Sequence, residues 1–316
     1  MKIFITGSTG FIGRALVLRL QRDGHSVVAW VRDEKRAANR LGANVATLAL
    51  SCDAGALQRT IAECDAVVNL AGEPLIGRWT TSRRAKLVES RVDLTGRLVD
   101  AIMLAPRSPR VLISGSAVGY YGNSNDEIIT EDTVPAKDFL GQLCGDWERA
   151  ALRAEDAGVR VALLRTGIVL GRDGGALAKL LLPFRLGLGL GGPIGSGKQY
   201  MPWIHLHDEV EIIAKALEDD RYQGPINATA PNPVINREFG RALSRALHRP
   251  AVMPLPGFVL KAVMGEASGV LLGGQRAVPE RLLELGFPFA FANIDEALCD
   301  IVSNANEADI RPMETA

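Results

Sequence analysis

Thr6 to Gly13 reads TGSTGFIG; it follows the β-branched run Lys2 to Thr6 and leads into a helical pattern over Phe11 to Arg22. Gly7 permits the tight turn out of the strand, Gly10 lets the main chain approach a pyrophosphate, and Gly13 allows close helix–sheet packing. Ser8, Thr9, Phe11 and Ile12 fill the turn between them. A diphosphate would then sit on the helix N-terminus, where free N–H groups and the dipole favour negative charge. A glycine triplet alone is a weak signal; a strand before it and a helix after it supply the confirming context.

Working outward, short apolar runs alternate with helical patterns, the sequence form of a parallel sheet with crossover helices. After Lys2 to Thr6, the strands read as Ser26 to Val31, Asn44 to Ala49, Ala66 to Leu70, Arg110 to Ser114, Arg160 to Arg165 and Pro225 to Thr229. Helices read as Phe11 to Arg22, Ser82 to Leu104, Asp138 to Ala157, and one capped by Asn236 that runs to about Leu247. Gly187 to Gly197 holds six glycines and a proline, a loop signal. The expected fold is α/β: a Rossmann-type doubly wound parallel sheet of order 3-2-1-4-5-6-7, with a smaller C-terminal lobe. Residues 1–170 form the nucleotide-binding domain, its sheet completed by about 206–229. Residues 171–205 and 230–303 form the lobe, and the tail after Asn304 is expected to fray.

The 36 Lys and Arg residues balance 36 Asp and Glu. That argues against a nucleic-acid or polybasic membrane binder, which needs surplus positive charge to release counterions. With 47% hydrophobic and 23% charged residues the 316-residue chain is of globular type. No uncharged stretch is long enough to span a bilayer, and MKIFITG enters a strand without a leader, so a cytoplasmic address is expected. Cys52, Cys64, Cys144 and Cys299 lack CxxC spacing, which predicts packed thiols and no metal site.

The second strand ends in Arg32. An acidic residue there would bind the adenosine ribose hydroxyls, whereas a guanidinium fork suits a 2′-phosphate. Ser8, Thr9, Lys35 and Arg36 are candidate helpers, and Asp33 keeps the acidic alternative open. The expected cofactor is NADP(H).

TGSTGFIG, NLAG at Asn69 to Gly72, LISGSAVGYYG at Leu112 to Gly122 and LLRTGIVLG at Leu163 to Gly171 occur in the order of an extended short-chain dehydrogenase/reductase. With LLPFRLGLGLGGPIGSGKQYMPWIH and the C-terminal lobe, the chain resembles the atypical "epimerase family" subgroup of that class. Members of the subgroup carry labels as nucleoside-diphosphate-sugar epimerases or as relatives of a cell-division inhibitor. The resemblance implies that Leu70, Ala71 and Gly72 line the cofactor, that Arg91 contacts it from its helix, and that Gly167, Ile168 and Val169 approach the nicotinamide end. It also implies a small-molecule substrate, with sugar nucleotides as a candidate class, and a homodimer through the two long helices.

Short-chain dehydrogenases use a Tyr and a Lys four residues apart, with a Ser from the fifth strand. The Lys lowers the Tyr pKa and holds the ribose, so that the phenol moves a proton as hydride moves. Ser116 matches the Ser. The dyad is missing: residues four beyond Tyr120, Tyr121, Tyr200 and Tyr222 are Ser124, Asn125, Ile204 and Ile226. On the helix that should carry it, the two positions fall near Leu140 and Cys144, on the apolar face. Tyr120 and Tyr121, just past Ser116, are the substitute proton donors.

GPIGSGKQ, Gly192 to Gln199, nearly spells a P-loop, but Gln199 replaces the magnesium-binding hydroxyl and Pro202 forbids the helix. His205 and His207 share a strand face, yet two histidines without a third partner read as hydrogen-bonded anchors. Two functions follow. One is an NADP(H)-binding oxidoreductase or epimerase-like enzyme with its substrate at the carboxyl ends of the strands; the other is a non-catalytic NADPH-binding regulator. The missing dyad points to the regulator, and Ser116 with the glycine-rich loop points to the enzyme.

Overall fold

The computed structural model describes residues 1–172, 174–175, 177, 192–249 and 254–308. Seven parallel strands make the main sheet: β1 (Lys2–Thr6), β2 (Ser26–Val31), β3 (Ala46–Ala49), β4 (Ala66–Asn69), β5 (Val111–Ala117), β6 (Arg160–Thr166) and β7 (Gly224–Ala228). Their order is β3-β2-β1-β4-β5-β6-β7, as the alternating pattern predicts. Ile3 sits opposite both Val27 and Ala66, and Ile113 opposite Ala162. A strand covered by helices on both faces needs apolar residues at successive positions, which is why these runs are so uniformly hydrophobic.

One face is covered by α1 (Phe11–Arg22) and α7 (Leu206–Glu218), whose Leu16, Val17, Leu20, Ile213 and Leu217 pack on Ile3, Ile5 and Ile113. The other is covered by α3 (Ala54–Ala62), α5 (Leu94–Met103) and α6 (Phe139–Leu152), through Leu57, Ile61, Leu98, Ile102 and Ala151 on Phe4, Val67 and Leu112. Each such Leu or Ile, fully withdrawn from water, contributes about 1.5–3 kcal/mol before entropy is charged against it. α2 (Glu34–Leu41) closes the β2–β3 crossover, with Asp33 as its N-cap accepting from Arg36 N at 3.0 Å.

The expected helix over Ser82 to Leu104 is continuous but not regular. α4 (Thr81–Val88) passes through a π turn, Glu89–Asp93, into α5, the kind of interruption that re-aims side chains near functional sites. α8 (Asn236–Leu247) starts where expected, but Ile235 holds the cap position. The Asn236 amide instead accepts from Ile194 N at 2.8 Å and ties the glycine-rich turn to the helix.

The smaller lobe is built on Trp203, Phe239, Leu243, Leu298 and Ile301 from α8, the C-terminal helix Ile294–Ala308 and the strand Trp203–His205. Asp208 anchors it by accepting from Ala290 N (2.9 Å) and Phe291 N (3.0 Å). His205 stacks on Phe291 at 3.9 Å between centroids, and its Nδ1 accepts from His207 N. The His-rich motif is thus an anchor between sheet and lobe. Lobe strand Arg276–Ala277 pairs with Ile128–Ile129, which ties the lobe to the segment that follows β5.

Gly192 to Gln199 forms turns leading to a short strand, Tyr200–Met201, and no helix follows as a P-loop needs. Residues 187–191 of the glycine-rich run lie outside the described residues, as do 309–316; the last helix continues past Asn304. Among the described residues no helix is long and apolar enough to cross a membrane. None of their His, Cys, Asp or Glu groups is clustered to hold a metal ion.

Candidate functional site

The glycine-rich turn brings three close approaches together. Gly7 has φ +69°, and a Cβ there would lie 2.6 Å from Leu70 C. A Cβ on Gly13 would lie 2.2 Å from Gly7 O, so α1 can seat against the turn only without a side chain at this position. Gly10 caps α1 with no side-chain hydrogen bond and no acidic residue in the first turn, leaving the helix N-terminus open to an anion.

Beside this turn runs a groove of about 510 Å³ lined by Thr9, Gly10, Trp30, Arg32, Leu50, Leu70, Ala71, Gly72 and Ser90, among others. Arg32 is exposed at its edge. Asp33, the acidic alternative, is spent on capping α2. Ser8 does not join the groove: it is fully buried and its hydroxyl has no partner among the described residues. The Phe11 ring packs on Gly171, Gly174 and Gly175. Only the main chain of these two residues is left to face a phosphate.

The groove's far wall, Leu70 to Gly72, is fixed by a buried polar chain. Thr6 Oγ1 donates to Asn69 Oδ1 (2.7 Å) and accepts from Ala71 N (3.1 Å). Asn69 Nδ2 and Trp147 Nε1 both donate to Thr95 Oγ1, at 2.7 and 3.0 Å. Arg91, on the π turn, comes up behind this wall: its guanidinium would be 3.1 Å from a Cβ on Gly72 and is 5.3 Å from the Trp147 ring centroid. Gly167, Ile168 and Val169 lie at the carboxyl end of β6, tied by Gly167 N to Ala228 O and Ile168 N to Pro202 O. They do not line the groove itself.

At the end of β5, Ser116 is buried and donates to Glu148 Oε1 at 2.6 Å. Glu148 is held in turn by Arg165, through Nε to Oε1 and Nη2 to Oε2, both 2.9 Å. Burial works against the arginine's charge, but the Glu148 hydrogen bonds and charge outweigh it and raise its pKa. Arg165 Nη1 also donates to Tyr121 Oη (3.0 Å) and Glu131 O (2.8 Å). Tyr121 donates to Asn227 Oδ1 at 2.6 Å, and burial pushes its phenol up to about 12. Tyr121, expected as a proton donor, thus gives its hydrogen to Asn227 in a buried wall.

Tyr120 is placed differently. Its ring covers the Arg165 guanidinium at 3.6 Å and stands edge-on to Tyr121, half-buried where sheet meets lobe. Burial raises its pKa, and the nearby Arg165 charge offsets this only partly. It is a protonated phenol at neutral pH.

The two dyad positions do face this end of the sheet. Leu140 packs where a Cβ on Gly119 would be 3.5 Å away. Cys144 is buried, and burial pushes its thiol up to about 12 in spite of the Arg91 charge nearby. An unreactive thiol of this kind is a packing residue.

Sequence reasoning missed Glu148, Arg165, Glu131, Asn227 and Glu209. The signals were present: Arg165 interrupts the apolar strand VALLRT, and Glu148 falls on the apolar face of α6. Glu209 is fully buried on α7, accepts from Thr166 Oγ1 at 2.9 Å, and is pushed by burial up to about 8.

Comparison with known proteins places this geometry. Residues 3–228 match the NAD dependent epimerase/dehydratase family, and residues 255–301 match a domain of unknown function, DUF1731. An epimerase family protein SDR39U1 homolog, chloroplastic, of Arabidopsis thaliana is 42% identical over 94% of this chain and 86% of its own length. The crystal structure of human epimerase family protein SDR39U1 (isoform2) with NADPH superposes with a TM-score of 0.86 at 38% identity, covering 96% of this chain and all of that one. A UDP-N-acetylglucosamine 4-epimerase from Bacillus cereus shares the fold at a TM-score of 0.76 and 17% identity, covering 96% of this chain and 99% of that one.

Proposed function

The chain belongs to the NAD dependent epimerase/dehydratase family, and on that premise we propose that it is an NADP(H)-binding oxidoreductase or epimerase-like enzyme. Its substrate is a small molecule held between the carboxyl end of the sheet and the lobe, the usual place for ligands in open α/β folds. The observation that carries this reading is Arg32, at the groove's edge beside the uncapped α1 N-terminus. The helix end takes the diphosphate, Arg32 takes the 2′-phosphate, and the apolar wall of Leu50, Leu70 and Ala71 takes the adenine. The NADPH bound in the human relative's structure supports the choice.

Bound NADPH supplies hydride. The chain's own part is the proton. Ser116, with its hydrogen given to Glu148, offers only lone pairs and can position a substrate hydroxyl. Tyr120, a protonated phenol over Arg165, is the group that can donate. Because its pKa is raised rather than lowered, its gain falls at the low end of general-acid catalysis.

Titration with NADPH and NADH tests the cofactor. The parent protein is expected to prefer NADPH, and Arg32→Asp to lose about 10- to 150-fold in NADPH affinity, one charge-assisted contact. Equal affinities in the parent would sink the assignment. Turnover on carbonyl and sugar-nucleotide panels tests the chemistry: it should be slow, and Tyr120→Phe should lower it by about 10²-fold. Turnover untouched by that change would put the proton route elsewhere.

The second reading, an NADPH-binding regulator, is favoured by the apolar Leu140 and the buried Cys144 standing where a catalytic dyad belongs. NADPH binding without turnover on either panel would select it.

A further inference from the structure

Helix α6 opens in an unusual way. Directly after the Asp138 cap come Phe139 and Leu140, both half-buried, and no acidic residue in the first turn meets the helix dipole. Leu140 packs on Gly119, where an added Cβ would be 3.5 Å from it, beside Tyr120 and near the position a dyad tyrosine would hold. A tyrosine there would offer a hydroxyl to a substrate oxygen. Leucine offers methyl groups.

The apolar surface continues from Leu140 into the lobe. The Phe139 ring meets Trp79 edge-on, with 5.2 Å between centroids. Trp79 stands on the segment that leaves the cofactor groove at Glu73, and its Nε1 donates to Leu75 O at 2.9 Å, so the indole's one polar atom is satisfied. It shares an apolar cluster with Leu271 and Leu272 of the lobe. Gly273 brings the lobe back against Asn123, three residues past Tyr120, and Gly274 N donates to Asn123 Oδ1 at 3.0 Å. Trp79, Phe139, Leu140, Leu271 and Leu272 each keep part of their surface exposed.

The cations beside this wall are already engaged. Arg84 lies over the Phe139 ring at 4.7 Å and is paired with Glu266, while Arg83 is held by Glu73 at 2.8 Å. A diphosphate laid here would lose its water without gaining either guanidinium, whereas half-exposed rings and methyl groups gain from covering by an apolar ligand. We propose that the substrate is a small carbonyl or alcohol compound with an uncharged apolar body seated on Trp79, Phe139 and Leu140, and not a sugar nucleotide. This rests on the NADP(H) reading above and names the substrate class of that site. Arg276, over the Tyr200 ring at 5.2 Å on the lobe strand, is the cation to which a nucleotide would have to turn.

The probes are straight-chain methyl ketones from butanone to decanone, and UDP-glucose for the rival class, each titrated by calorimetry into the full-length protein saturated with NADP+. Ketone affinity is expected to rise by up to about fourfold per added methylene. Trp79→Ala, and separately Leu140→Asn, should cut that increment below about twofold and leave NADPH affinity unchanged. Unchanged NADPH binding shows that a variant is folded; should Trp79→Ala lose it, Leu140→Asn carries the test. Affinity independent of chain length in the parent, or an increment untouched by the variants, would overturn the proposal. So would UDP-glucose binding tighter than decanone, and its loss in Arg276→Met would place it on the lobe strand. A parent protein that bound no NADPH would instead remove the reading beneath the proposal, an outcome distinct from all of these.

Discussion

Arg165→Met is expected to lower the free energy of unfolding by about 3–5 kcal/mol, read as a lower urea midpoint. Arg165 and Glu148 are 3% and 5% exposed, and two 2.9 Å hydrogen bonds join them. Removing the guanidinium leaves Glu148 charged in the interior with one remaining donor, Ser116. The cost is that uncompensated charge, not the strength of the pair, since pairing in the interior scarcely repays the desolvation of two ions. The double variant Arg165→Met, Glu148→Leu should therefore recover most of the loss. A single variant within about 1 kcal/mol of the parent would show that water reaches Glu148 and that the wall behind Ser116 is wet.

The second large effect is a pH dependence from Glu209. Its carboxyl is raised to about 8 by burial, against 4.5 ordinarily, and the Thr166 hydroxyl opposes the shift only in part. Below the ordinary value, folded and unfolded chains both hold the proton. Between there and about 8 the unfolded chain has released it while the folded chain keeps it, so stability falls steadily as pH rises. At about 1.4 kcal/mol per pH unit the upper limit is about 4–5 kcal/mol. Glu209→Gln, which carries no charge, should match the parent at acid pH and exceed it increasingly up to about pH 8. Denaturation midpoints of the two proteins that ran parallel from pH 5 to 8 would show that Glu209 is ionised in the fold.

Much of the nucleotide-binding half is legible from neighbouring residues alone. The strand runs are apolar at successive positions because both faces of the sheet are covered, and TGSTGFIG reports main-chain geometry that few other residues allow. Arg32 could be placed at a strand end by counting. Whether Asp33 competes with it could not, because that depends on Asp33 turning to cap α2. The π turn at Glu89–Asp93 leaves no mark in the 3.6-residue period, so Arg91 could be put on a helix but not aimed.

The carboxyl end of β5 is where local reading stops. By itself the sequence determined the strands, the glycine turn, the absence of a Tyr-Lys dyad and the apolar character of its two positions, since each is written in residues a few places apart; the sheet order followed from the fold that the glycine turn and the alternation imply. Only the tertiary structure decided what each tyrosine touches. Tyr120 and Tyr121 are adjacent in sequence and equivalent by composition, yet one covers Arg165 and the other is bound to Asn227, 106 residues away. The same holds for Arg165 with Glu148, Gly72 with Arg91 and Thr166 with Glu209. A hydroxyl or charge acquires its chemistry from the partner that desolvates or neutralises it, and packing, not chain proximity, supplies that partner.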